Sequence, residues 1–215
     1  MPTPITVEDW CRKAEFILRQ PHNPELRGMQ TYRDVIFSLS RQFPDDYEFD
    51  WYDCILLMHI VFAWIASLVE VGQKSPSFYP DKRHRLNIAN ITNSIRRGGD
   101  VSQRHIVQMT AVIDNSVVAV SKYLHCLAPN RFPIWDQRVA RAITRVRAQA
   151  GDRFRTGNPD HYIVYRDTIR AWAPNPMVLE RLNALDEYPL FADLPALRKI
   201  EAVLYYHDMY NNQHD

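Results

Sequence analysis

The spacing of apolar side chains constrains this chain most. Along nearly all of its 215 residues they recur every three or four positions, and runs that alternate apolar with polar are nearly absent. A strand with one wet face needs a period of two and an amphipathic helix one of 3.6, so the pattern predicts an all-α fold without a sheet. Thr6-Val-Glu-Asp9 is a capping-box-like start, after which Trp10, Ala14, Ile17 and Leu18 share one helical face. A second helix is expected over Pro24 to Gln42, with Tyr32, Ile36 and Leu39 inward, broken by Phe43-Pro-Asp-Asp46. Further helices are expected at about 49–71, 81–97, 102–113, 116–127, 136–149, 159–172, 176–185 and 193–211, with a loop over 72–80. Most of the 14 Pro fall at these junctions, where a first helical turn or the residue past a helix end tolerates them.

A chain of this length fits one compact multi-helix domain, residues 1–215, and 46% hydrophobic with 24% charged residues suffices to close a core. Only 6 Gly are present, which argues against nucleotide folds built on Gly-rich phosphate loops. Cys11, Cys54 and Cys126 form no CxxC and cannot build a disulfide framework or a four-cysteine metal cluster. A reducing, cytoplasmic setting is therefore expected, with no bound metal. The N-terminal MPTPITVEDW lacks the basic and apolar regions of a signal peptide. The longest uncharged apolar run, Cys54 to Val69, is 16 residues, against about 20 needed to span a bilayer, so it reads as a central buried helix and no membrane partner is expected.

Charge is uneven. Between Asp81 and Arg155 there are 14 Lys/Arg and 5 acids, a balance of +9, while the rest of the chain carries −8. A basic middle with acidic flanks suits a face that meets phosphate, although Arg-rich solvated helix faces would give the same balance.

The informative stretch begins Gly98-Gly-Asp-Val and runs to Arg145. It reads as a helix, a tight turn at Asp114-Asn115, a second helix, an extended Phe132-Pro-Ile-Trp135, and a third helix opened by Asp136. Over these residues the chain resembles the helix-hairpin-helix–GPD superfamily of base-excision DNA glycosylases. The likeness is carried by Phe132-Pro-Ile-Trp-Asp-Gln-Arg-Val-Ala-Arg141, which matches the family's Pro–apolar–Asp tract with Val and Arg at the same offsets.

The resemblance implies a DNA-repair hydrolase that removes a base from duplex DNA by hydrolysing the base–sugar bond. Breaking that bond builds positive charge on the sugar, which a fixed carboxylate stabilises while orienting water. By resemblance Asp136 is that carboxylate and Trp135 walls the pocket of the flipped base. The turn of Asn115, Ser116, Val117 and Val118 would hold a backbone phosphate at a helix N-terminus. Arg138, Arg141 and Arg145 would add phosphate contacts. On spacing alone Asp136 also reads as an N-cap, and the two roles are compatible. Bifunctional members carry a lysine where an ungapped alignment gives Val118. A water-using, monofunctional enzyme is therefore expected, and Lys122, one turn later on the same face, reads as an exposed lysine or a further nucleic-acid contact. No cofactor is expected, since the iron–sulfur cluster of some members needs cysteines this chain lacks.

Two readings stand beside this one. The hairpin has Asp114-Asn115-Ser116 instead of the family's glycines, which suits a catalytically silent module that binds nucleic acid or a protein partner. An N-glycosidase for a free nucleoside would need a closed pocket rather than a basic groove. His59, His125, Trp51, Trp64, Trp172 and the aromatic face of His161-Tyr-Ile-Val-Tyr165 read as core or boundary residues.

Overall fold

The computed structural model describes residues 4–19, 24–44, 46–65, 80–147, 153–189, 191–192 and 194–214. Helices run through them in the order α1 (Pro4–Leu18), α2 (Pro24–Gln42), α3 (Trp51–Ile65), α4 (Lys82–Arg96), α5 (Gln103–Thr110), α6 (Val117–Leu127), α7 (Gln137–Val146), α8 (Pro159–Trp172), α9 (Pro176–Asn183) and α10 (Ala196–His214), with a 3₁₀ turn at Ala184–Glu187. No strand occurs among the described residues, so the protein is all-α as its periodicity dictates. No described helix is long and apolar enough to cross a membrane.

Short polar side chains fix where the helices start. Asp81, Ser102, Ser116, Asp136, Asn158 and Asn175 each accept a hydrogen bond from an amide of the helix they precede, and Pro159 and Pro176 fill first-turn positions that need no donor. Asp50 accepts from the amides of Tyr52 and Asp53 and starts α3, so Phe49, expected inside that helix, lies ahead of it. Helix α1 already runs from Pro4, which puts Thr6 inside the helix rather than at its cap. Helix α5 stops three residues short of Ile113 because Asp114 and Asn115 take left-handed backbone angles (φ 52° and 48°) that end it. The expected helix tail at 66–71, the loop at 72–79 and the last residues of the helix ending at 149 lie outside the described residues.

Helix α10 is central, packed against α1, α7, α8 and α9, while α6 lies against α3, α4, α5 and α8. One continuous apolar core joins the two groups, and Trp10, Ala14, Ile17 and Leu18 are buried in it as their spacing predicts. Between α4 and α5 the chain turns on two glycines. Gly98 has φ 92°, and a Cβ on Gly99 would come within 2.4 Å of Ser94 Oγ. Arg131 locks this turn by donating to the carbonyls of Ile95 and Gly98, both at 2.9 Å, and of Gly99.

Candidate active site

Residues 132–135 lie where α6, α8 and α10 meet. Phe132, Pro133, Ile134 and Trp135 are all buried, and Pro133 keeps them out of a helix. A buried extended strip without a sheet partner must find its hydrogen bonds elsewhere, and here side chains supply them. From α6, His125 Nδ1 donates to Phe132 O at 2.6 Å and Ser121 Oγ accepts from Trp135 N at 2.9 Å. From α8, the hydroxyls of Tyr162 and Tyr165 donate to Pro133 O at 3.4 Å and Ile134 O at 3.1 Å. From α10, Glu201 accepts from Ile134 N at 3.0 Å. Since a carbonyl can only accept, His125 carries its proton on Nδ1, and its Nε2 accepts from Tyr32 OH at 2.9 Å. Burial holds this histidine neutral, its pKa lowered to about 3.

The strip delivers Asp136 to the N-terminus of α7. Its Oδ1 accepts from Val139 N at 2.8 Å, the capping contact anticipated from spacing. Oδ2 makes no hydrogen bond with another described residue, and the side chain is only half-buried. One oxygen therefore fixes the carboxylate while the other stays open.

Two further ionisable groups feel its charge. Lys122 on α6 is partly buried and makes no salt bridge or hydrogen bond with another described residue. Desolvation lowers its pKa, opposed by the negative charges of Asp136 and Glu201 and reinforced by Arg198. Glu201 is buried, and desolvation lifts its carboxyl to about 7 although Arg198 and the Ile134 amide favour its ionised form. Arg198 donates to Glu201 and stacks 4.7 Å from the Tyr32 ring. A buried acid, a half-buried amine without a partner and a half-capped carboxylate thus share one corner of the fold. Of these, burial perturbs Glu201 most, and buried ionisable groups with shifted pKa concentrate at functional sites.

The other expected contact residues have varied surroundings. Trp135 is fully buried, its ring 4.8 Å from Tyr165 and its Nε1 donating to Thr156 O at 3.3 Å. It braces the strip from inside the core rather than walling an open pocket. Asn115 is exposed; Ser116 caps α6 through Ala119 N at 3.2 Å, and Val117 points into the core. Val118 is half-buried, and the first-turn amides of Val117 and Val118 have no partner within the helix.

Arg138 lies 5.1 Å from the Tyr205 ring. Arg141 and Arg145 converge on the fully buried Asp208, at 2.6 Å and 2.8 Å. Asp208, Ser121 and Glu201 were invisible as site residues in the sequence. The partners that tie them to the strip and to α7 lie 14 to 67 positions away, beyond the reach of helical periodicity. His125 and Trp172 are core residues as expected, whereas His59 is exposed on α3 and the Trp64 side chain lies outside the described residues. All three cysteines are free and buried, and no group of metal ligands occurs among the described residues.

Comparison with family models, with curated proteins and with solved structures gives no match.

Proposed function

We propose that this protein is a DNA N-glycosylase that excises a base by carboxylate-assisted hydrolysis, with Asp136 as the catalytic group. The open Oδ2 of a carboxylate whose other oxygen is pinned to its own helix carries this reading. A charge held in that way needs no reorganisation as the sugar becomes cationic. Asp136 would stabilise the oxocarbenium ion and accept the proton of the water that adds to C1′, while the base leaves with the bonding electrons of the C1′–N bond and takes a proton from solvent. The amides of Val117 and Val118 and the outward N–H groups of Arg141 and Arg145 suit phosphate oxygens. Asp208 offsets one of those two arginine charges, leaving a net positive edge on α7.

Lys122 favours a second reading. A partly desolvated amine with a lowered pKa is a competent nucleophile, and Asp136 is the charge nearest in effect. In that variant the amine adds to C1′ as the base leaves, the sugar ring opens to an imine, and water later hydrolyses it.

One assay separates these possibilities. The protein is incubated with duplexes carrying mismatched, alkylated, oxidised and deaminated bases, then treated with alkali, or with borohydride during the reaction. Release that Asp136→Asn abolishes, with no borohydride adduct, supports hydrolysis. An adduct lost in Lys122→Gln supports the amine. No release from any duplex, with salt-sensitive binding unchanged by Asp136→Asn, refutes both and favours a silent nucleic-acid-binding module.

A further inference from the structure

A concavity that Asp136 does not line lies elsewhere on the fold. It is a cleft of ≈ 250 Å³ between α4 and α5, lined by Asn87, Asn90, Ile91, Ser94, His105 and Gln108, with Asp100 at one end. Asn87, Asn90, Ile91 and Ser94 recur at helical spacing on one face of α4, and His105 and Gln108 on one face of α5. The Gly98-Gly99 turn joins the two walls.

Asn90 and Ser94 are exposed, and Asn87 and Gln108 are half-buried. The carboxamides of Asn87, Asn90 and Gln108 and the hydroxyl of Ser94 make no hydrogen bond with another described residue. His105 Nδ1 accepts from Ser102 N in the capping box of α5, so in its neutral form Nε2 carries the proton and is a free donor. Ile91 is the apolar floor. Asp100 is committed elsewhere: it accepts from Val101 N and pairs with Arg166 and Arg170 at 3.2 and 2.9 Å.

We infer that this cleft binds a single uncharged nucleobase, read along its edge by the carboxamides. Three observations select that class. No lysine or arginine lines the cleft, and its one carboxylate is already neutralised, so a phosphate or carboxylate ligand would find no counter-charge. Each carboxamide presents a donor and an acceptor side by side, which is the complement of the adjacent N–H and acceptor groups on a base edge. The volume falls below the roughly 300–1,000 Å³ of sites that engulf drug-sized ligands, so one ring system fits and a dinucleotide or peptide does not. The inference is independent of the role given to Asp136.

The test is titration of the isotopically labelled protein with adenosine, guanosine, cytidine and uridine in turn, followed by NMR, with glucose and inorganic phosphate as controls. At least one nucleoside should shift the side-chain amide signals of Asn87, Asn90 and Gln108, with a Kd of about 1 mM or tighter. Asn90→Leu and Gln108→Leu should each weaken binding roughly three- to tenfold. The isosteric Asn90→Asp, which keeps the shape and removes the amide donor, should weaken it too. Asp136→Asn should leave this binding unchanged even if it abolishes base release. The inference falls if no nucleoside binds at about 10 mM, if glucose or phosphate binds as well as any nucleoside, or if the three cleft variants bind like the parent.

Discussion

Replacing Ser121 by alanine tests whether side chains really hold the extended strip. Ser121 Oγ accepts from Trp135 N at 2.9 Å, and its own proton goes back to Val118 O at 2.7 Å, with Trp135 O a longer 3.3 Å neighbour. Both Ser121 and Trp135 are fully buried, so water cannot replace the lost acceptor. An orphaned buried amide costs about 1–3 kcal/mol. Alanine returns roughly 0.5 kcal/mol as a better helix former and by ending the back-bond to Val118. The net expectation is a loss of about 0.5–2.5 kcal/mol, which for a chain of this size lowers Tm by roughly 1–10 °C.

Ser40 provides the control. It is exposed, makes the same kind of back-bond to Phe37 O at 2.8 Å, and holds nothing else, so Ser40→Ala should change stability by less than about 0.5 kcal/mol. Both variants would be followed by urea denaturation and by calorimetry. If Ser121→Ala is as harmless as Ser40→Ala, the Trp135 amide has another partner and the strip is not held as described.

Other outcomes follow from the same geometry. Asp136→Asn should leave Tm within about 1 °C, because asparagine caps as well as aspartate, whereas Asp136→Ala should cost about 1 kcal/mol; a large loss of stability in the asparagine variant would mean that the charge itself is structural. Lys122→Met should hold or raise stability, since it removes a partly desolvated cation that lacks a partner, and a drop above about 1 kcal/mol would refute that description. Stability should fall on acidification from pH 6.5 to 5. His125 and His207, lowered to about 3 and about 4, contribute stability above their unfolded pKa that is lost as pH falls, on the order of 2 kcal/mol each over this range. Glu201, raised to about 7, works in the opposite sense: its contribution is full at low pH and is lost as pH rises toward 7, offsetting about one histidine. Glu201→Gln should therefore steepen the acid loss, as measured by urea unfolding across pH, and an unchanged slope would refute the assignment.

Local chemistry was legible in the sequence and long-range chemistry was not. The Asp81, Ser102, Ser116 and Asp136 caps sit next to the helices they start, and a cap works through amides two or three residues away, so helix starts could be read along the chain. Asp136 could be read as a cap for the same reason, while its choice as a site residue came from the resemblance carried by residues 132–141. The ends set by left-handed residues were harder to read, as Asp114 and Asn115 show.

By itself, the sequence determined an all-helical fold, because a 3.6-residue period can bury its apolar face in no other way, and it determined the residues of that face, from Trp10 to Leu18 and beyond. Only the tertiary structure decided how the charges are used. The +9 of the middle segment reads as an open basic face in one dimension, yet Arg141 and Arg145 reach across 67 and 63 positions to a buried Asp208, and Arg131 is spent on the carbonyls that end α4. Tertiary packing also turned Trp135 inward, left one oxygen of Asp136 open and partly desolvated Lys122. The physical reason is common to all of these. Desolvation and pairing depend on what the rest of the chain brings within a few ångströms, and that neighbourhood is created only when α6, α7, α8 and α10 close around the strip.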